Sequence, residues 1–445
     1  MFKTSNLGVN VKQNSKPYNS TSSILKRFFV FNLLIISVFT TNSAFAKKTD
    51  PIAILGGQGS APYAAFLRSN GSIKTFSGLP STGLIYRVAM NSLKRGLIGG
   101  TNGLNAYAAF VTPSGRVKPI KGLISPGEIY AVDLNQSTVG LIGGGHQDSN
   151  VPFAALVSRK KKMKVLNLPE NGLIYSVAIN NSKEGIIGGK GPLDSAYGAL
   201  VTRKGGLIPL KNLPANGAIY WVAINDSHKR FVGGQEGDSV FAGFVNRKGV
   251  VKRIENLPLG LLYSVAVNGN GDAIIGGSSY SLPYAALISG SGHVRPIQNL
   301  PSTPGIIYNV VMNDSGTSLI TGFSATGPFG AFVSRDGDVT LLKGLPVGNG
   351  FLDGAAIHSN GHGLIGGEID GVPFGALASP KGDLTYLNGF PSNGAINTIS
   401  IPTVDRTRNT ETPCPFEVWT RTLSALPGCL APLVDILDQE IFLEE

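Results

Sequence analysis

The side chains of this chain that could do chemistry are few and scattered. Five histidines, His146, His228, His293, His358 and His362, stand in unrelated local contexts, and His358 and His362 bracket a Ser-Asn-Gly stretch that reads as a turn. A turn does not put two imidazoles on one face as a helical zinc motif does. No nucleophile elbow, zinc signature or phosphate loop occurs in the sequence. Richer chemistry lies in short polar stretches that differ from one another: Thr101-Asn102, His146-Gln147-Asp148, Lys190 with Asp194, Gln235-Glu236 with Asp238, Ser278 with Tyr280, and Glu368 with Asp370. Arg87, Asp133 and Trp221 add a cation, a carboxylate and a large aromatic inside otherwise apolar runs. Asp133, Asp353, Glu236 and Glu368 are the acids from which a glycosidase-like pair would have to be drawn, and their separation is a property of the fold. The expectation is a binding surface with no catalytic residue, no metal and no cofactor.

What positions these residues is a repeat. Eight copies of a 43- to 45-residue unit run from Ile52 to Arg406, starting at Ile52, Gly96, Gly140, Gly185, Arg230, Ala273, Ser318 and Gly363. Each holds four apolar runs of five to seven residues separated by Gly, Asn, Pro, Ser and Lys, too short for helices and rich in β-branched residues. In order they are strand A (Ile174 to Asn180), B (Gly185 to Gly189), C (Ala196 to Val201) and D (Leu207 to Leu213). Four strands per unit and eight units predict an all-β, eight-bladed β-propeller of four-stranded antiparallel blades, over residues 47–402. The chain enters with a B strand, Ile52 to Gly56, and leaves the array with an A strand, Ala395 to Ile401. One blade built from both would close the ring and remove exposed edges. An open β-solenoid, the alternative, has no use for that complementarity.

Several small or polar residues acquire roles from this reading. The Gly-Gly of strand B, replaced by Thr321-Gly322 in one copy, suits a turn with positive φ or a close backbone approach. Asn91, Asn135, Asn180, Asn225, Asn268 and Asn313 close strand A and read as turn residues. Tyr86, Tyr130, Tyr175, Tyr220, Tyr263 and Tyr308 read as packing between blades with the hydroxyl at a rim. The position after the tyrosine varies (Arg87, Ala131, Ser176, Trp221, Ser264, Asn309, Gly354, Thr398), so common packing does not constrain it. A carboxylate on an inner strand must be paired or wet, and Arg87 on the preceding blade is the partner expected for Asp133.

The order of apolar strand, Asn-centred turn, strand ending in Gly-Gly, aromatic strand and strand ending in Leu-Pro resembles kelch-type blades. Ala-Phe-Val-x-x-x-Gly followed by Leu-Pro and Val-Ala-Ile-Asn is also similar to the bacterial extracellular HAF repeat. The resemblance implies a propeller, often extracytoplasmic or mediating interactions, and carries over no catalytic residue; the regular kelch Trp is missing.

The ends and the charge set the context. Residues 1–46 hold five Lys or Arg and no acid, then an apolar run from Phe28 to Phe39, then Ala44-Phe45-Ala46, the pattern of a cleaved signal peptide. A run of about 12 residues is short for a membrane span. Cleavage would lower the formal charge from +11 to +6, which with no dense basic stripe argues against a nucleic-acid binder. Cys414 and Cys429 fit a disulfide in an oxidising compartment, within an extension over 403–445 that ends in a short amphipathic helix. The chain is expected to be a periplasmic, cell-surface or secreted monomer.

Strand order places the B–C and D–A connections on one face of the ring and the A–B and C–D turns on the other. The variable residues His146, Gln147, Asp148, Gln235, Glu236, Asp238, Tyr280, Glu368 and Asp370 all fall on the first face, where a protein or glycan partner is expected, with Arg87, Asp133 and Trp221 in the channel beside it. The C–D turns collect cations, notably Arg159 to Lys164, Arg203-Lys204 and Arg247-Lys248, either as solvated turns or as a weak site for an anionic polymer or lipid.

Overall fold

The computed structural model describes residues 50–146, 148–159 and 163–402. The expected signal peptide, the 403–445 extension with Cys414 and Cys429, and Gln147 lie outside the described residues. Eight four-stranded antiparallel sheets form, each running A-B-C-D from the channel outwards. Blades 1 to 7 have inner strands Leu84–Met90, Glu128–Leu134, Leu173–Ile179, Gly217–Ile224, Leu261–Val267, Gly305–Met312 and Gly350–Ile357. Blade 8 takes its inner strand, Ala395–Ser400, from the end of the array and its other three, Pro51–Gln58, Pro62–Arg68 and Ile73–Thr75, from the beginning. Ile54 pairs with Ser400 and Leu55 with Ile399, so the ring is closed as the sequence predicts.

Inner strands and B strands are buried on both faces, which is why they read as near-continuous apolar runs without alternation. Outer strands span only two or three residues and are mostly exposed, as in Leu207–Pro209, shorter than the run to Leu213 suggests. Blades pack through these faces: Ile54, Ala64 and Phe66 of blade 8 share a cluster with Ile85, Val88 and Ile98 of blade 1. On its other side blade 8 sets Ile396, Ile399 and Ile52 against Ala356 and Leu364 of blade 7.

The Gly-Gly pairs serve close approach, one of the two roles expected of them, and not a turn with positive φ. They lie within strand B, not in a turn, and neither glycine has a positive φ. The first lets the next blade approach: a Cβ on Gly99 would stand 2.5 Å from Val132 Cγ1 and 2.8 Å from Ile129 Cγ2. Thr321 takes this place in blade 6, and the facing blade 7 carries Ala355 where its counterparts carry valine, such as Val132 and Val177. The second glycine faces a β-bulge. In every blade the A–B register slips by one residue, between Ile85 and Arg87, Ile129 and Ala131, Ile174 and Ser176, and so on round to Gly56 and Gly57 in blade 8. The residue left unpaired is the tyrosine, or its replacements Asp353 and Asn397. A bulge re-aims the side chains at that point, so the repeated glycine and tyrosine together shape the channel.

The strand-ending asparagines do more than turn the chain. Asn91 Nδ2 donates to the Asn135 carbonyl (3.1 Å), Asn135 Nδ2 to Asn180 O (3.2 Å), Asn180 Nδ2 to Asn225 O (3.4 Å) and Asn225 Nδ2 to Asn268 O (2.5 Å). Each Oδ1 meanwhile accepts a backbone N–H four residues on, as Asn135 does from Val139 (3.0 Å). The amide needs both its donor and its acceptor, and the ladder ties blades 1 to 5 each to the next, stopping at Asn268, whose Nδ2 finds no partner among the described residues. Asn313 Nδ2 makes the same bond from blade 6 to the carbonyl of His358, the buried residue at this position in blade 7. Desolvation pushes the His358 imidazole down to about 4, so it is neutral at physiological pH.

A prediction separates the ladder from the turn. Asp is as good a turn residue as Asn, yet Asn135→Asp would set a carboxylate oxygen against the Asn180 carbonyl. We expect it to cost at least as much as Asn135→Ala, about 2–4 kcal/mol in urea unfolding: Ala loses both buried hydrogen bonds, whereas Asp keeps the one from Val139 N–H but sets a buried, unpaired charge against the Asn180 carbonyl. Equal stability of the Asp variant and the parent would return these residues to a turn role.

Candidate functional site

The bulges gather one side chain per blade around the channel mouth on the face of the B–C and D–A connections. Six of them are tyrosines, and neighbours touch: ring centroids are 5.8 Å apart for Tyr86 and Tyr130, 6.4 Å for Tyr130 and Tyr175, 5.6 Å for Tyr175 and Tyr220, and 5.8 Å for Tyr263 and Tyr308. The expected packing between blades is therefore an aromatic belt. Two of its hydroxyls meet acceptors at the rim: Tyr86 donates to Glu128 Oε2 (3.0 Å) and Tyr220 to Gln235 Oε1 (3.3 Å). Burial and the Glu128 carboxylate hold the Tyr86 hydroxyl well above its ordinary pKa, so it serves as a neutral donor.

Directly below the belt the channel is plugged. Arg87 from blade 1 crosses to blade 4 and lays its guanidinium over the Trp221 ring, 4.7 Å from the centroid. Both side chains are buried, and desolvation lowers the Arg87 pKa to about 9 while the Asp353 carboxylate of blade 7 acts against that fall. The guanidinium stays charged at neutral pH, held by an indole face and an acid from two other blades. Asp353 occupies a tyrosine position, so the break in the belt is what supplies the counter-charge.

The carboxylate acting on Arg87 is thus Asp353, not Asp133. The two oxygens of Asp133 accept the backbone N–H groups of Leu134 (2.8 Å) and Ile179 (2.7 Å), joining blade 2 to blade 3. Asp133 lies further along its strand than the plug, where it lines a small cavity of about 50 Å³ with Arg87, Ser176 and Trp221. That volume holds water, not a ligand. Ser176 and Ser264 carry out a similar blade-to-blade task, accepting from Val222 N and Val310 N (3.2 Å each).

The remaining sequence candidates fall where strand order put them. His146 ends strand Val139–His146, half-buried, and its Nδ1 contacts the Ser149 hydroxyl; Asp148 is exposed. Gln235 meets Tyr220 at the belt, and Glu236 pairs with Arg253. Asp238 is exposed at the next connection, and Tyr280 projects with 74% of its surface free. Glu368 accepts from Gly371 N (2.5 Å), and Asp370 Oδ1 from Asn349 N (3.0 Å). These residues share a face without converging on one point. The acids considered for hydrolysis are each engaged in a structural contact.

Sequence reasoning missed the apolar character of this face. Among the described residues, the exposed large hydrophobic side chains include Leu104 (70%), Val151, Leu193 (97%), Leu259, Tyr280, Leu282, Val347 (96%) and Val372, all on or beside B–C or D–A connections, whereas the A–B and C–D turns contribute Leu93 and the outer strands Val165, Ile208, Leu341 and Tyr386. The signal was present as single apolar residues inside polar loops, such as Leu104 between Gly103 and Asn105. Also missed was a cavity of about 560 Å³ on the opposite face, between blades 3 and 4. Among the described residues, three or more His, Cys, Asp or Glu side chains nowhere gather as a metal would require, and no helix is long and apolar enough to cross a membrane.

No family model and no curated protein matches the chain. Solved structures do. The Dos1 propeller is similar with a TM-score of 0.52 and 11% identity over 70% of this chain and 85% of that one. A functionally unknown protein from Desulfotomaculum acetoxidans DSM 771 has a TM-score of 0.51 and 13% identity over 80% of this chain and 100% of that one. Virginiamycin B lyase from Staphylococcus aureus has a TM-score of 0.46 and 10% identity over 59% of this chain and 84% of that one. At such identities likeness shows the fold alone: this chain is a β-propeller. The lyase's chemistry does not extend to it on that basis.

Proposed function

We propose that the protein is an exported, non-catalytic scaffold that binds a protein partner across the face of its B–C and D–A connections. The carrying observation is the concentration of exposed apolar side chains on that one face. Aliphatic tips held out into solvent by a rigid ring cost solubility unless another surface covers them. A protein partner fits better than a glycan, since a sugar ring stacks on open aromatic faces and most of the tyrosine belt is buried. The Arg87–Trp221 plug supports surface binding over passage through the channel. Export is supported by the pattern of residues 1–46, and the likeness of the repeats to extracellular HAF blades agrees with it.

The test is capture from envelope extracts, scored against defined variants. Replacing Leu104, Leu193, Tyr280 and Val347 together by Ser should leave the melting temperature unchanged and weaken the captured interaction by about 100-fold or more, if each side chain contributes about 1 kcal/mol when buried. Undiminished capture by this variant would rule out the face.

A further inference from the structure

The geometry points to a second site, on the opposite face, in which the cavity between blades 3 and 4 binds an acidic sugar: a saccharide unit carrying a carboxylate or phosphate group. Four cationic side chains line this cavity, Arg203, Lys204, Arg230 and Arg247, against one acid, Glu184. Arg230 is the unusual member. It opens its B strand where other copies have Gly96, Gly140, Gly185, Ala273, Ser318 or Gly363, and its side chain is 6% exposed. A guanidinium is costly to bury and is not needed for the strand, whose equivalents form with glycine, alanine or serine there.

Glu184 fixes it in place. The carboxylate accepts from Arg230 Nη2 (3.0 Å), lies 2.9 Å from His228 Nδ1, and is 3.8 Å from Arg203 Nη2. Arg230 Nη1 also donates to the His228 carbonyl (2.9 Å). His228 sits at φ +59, the left-handed turn position that Lys94, Thr138 and Lys183 fill in blades 1 to 3 and glycine fills in blades 5 to 7, so the turn common to the repeat presents its imidazole to Glu184. One carboxylate cannot neutralise four cations. Arg247 bears on Arg230 as a like charge, and Arg203 is 63% exposed, so neither is spent on packing. Planar guanidiniums converging from two blades match an oxyanion. The other wall is Thr202 and Ile208, the latter 38% exposed, a hydroxyl and an apolar surface suited to a sugar ring. A cavity of about 560 Å³ admits one or two such rings.

Calorimetric titration of the purified full chain tests this with four probes: trigalacturonic acid, glucose 6-phosphate, maltotriose and inorganic phosphate. Binding of either acidic sugar, weakening as NaCl is raised, with maltotriose silent, is the expected result; which acidic sugar binds identifies carboxylate or phosphate as the anion. Arg230→Ser restores the residue type found at Ser318 and should fold, and Arg203→Ala and Arg247→Ala alter exposed turns. Each should weaken binding about tenfold or more. Silence of both acidic sugars, or undiminished affinity in all three variants, would overturn the site. Inorganic phosphate binding as tightly as glucose 6-phosphate would overturn its saccharide part. None of these variants touches the apolar face, so the two readings stand or fall separately.

Discussion

A chain ending at Gly394 should fail to fold into a cooperative monomer, whereas one ending at Pro402 should unfold like the full-length protein. The eight residues between them include the inner strand of blade 8. Ile396, Ile399 and Ile401 are at most 1% exposed, and together their burial is worth about 6 kcal/mol. Thr398 and Ser400 also accept buried N–H groups of blade 1, Val88 at 3.4 Å and Met90 at 2.9 Å. A loss of that order approaches the total stability of an ordinary domain, roughly 5–15 kcal/mol. It would also leave strand Pro51–Gln58 with an unpaired inner edge, a template for association. Circular dichroism, urea unfolding and size-exclusion chromatography of the two truncations check the prediction. Matching midpoints would mean that the ring does not depend on its closing strand.

The ring was legible because every copy had to obey the same packing. Strand order, blade number and the shared blade follow from residues that repeat at fixed intervals, and Leu55 with Ile399 is the closure that the first and last fragments implied. What the repeat concealed was the meaning of its own conserved-looking positions. Asn135 reads locally as a turn residue, and its tie to Asn180 of the next blade has no local signature because the partner is 45 residues away. The tyrosines read as packing until the bulge turns them toward the channel. Arg87 found Asp353 and Trp221 across the channel in place of Asp133 on the next blade, since proximity in the repeat order says nothing about reach through the centre. Deviations from the repeat were the better guide to chemistry. Arg230, where other copies have Gly, Ala or Ser, marks the basic cavity, and Asp353, where others have Tyr, marks the counter-charge of the plug.

That dependence of the channel on a repeated backbone feature gives the second large effect. Gly144→Ala, the addition of one methyl group, should destabilise the protein by about 3–5 kcal/mol. A Cβ there would stand 1.9 Å from the Glu128 carbonyl oxygen and 2.9 Å from Ile129 Cα, both backbone atoms of the bulged inner strand. Neither can swing aside as a side chain would, so the bulge must open or the B strand must move. Opening it would return Tyr130 to the ladder and withdraw its ring from Tyr86 and Tyr175. Near-ultraviolet circular dichroism should therefore lose tyrosine signal along with the fall in unfolding free energy. Gly290→Ala is the matching control: its nearest neighbour would be the Gly271 carbonyl oxygen at 3.3 Å, its φ is not positive, and the expected change is within about 0.5 kcal/mol. The same clash recurs at Gly100, Gly189, Gly234, Gly277, Gly322, Gly367 and Gly57, at 1.9–2.0 Å in each. A tolerant Gly144 would show that the bulge adapts, and would remove the physical reason why the second glycine is never replaced in any of the eight copies.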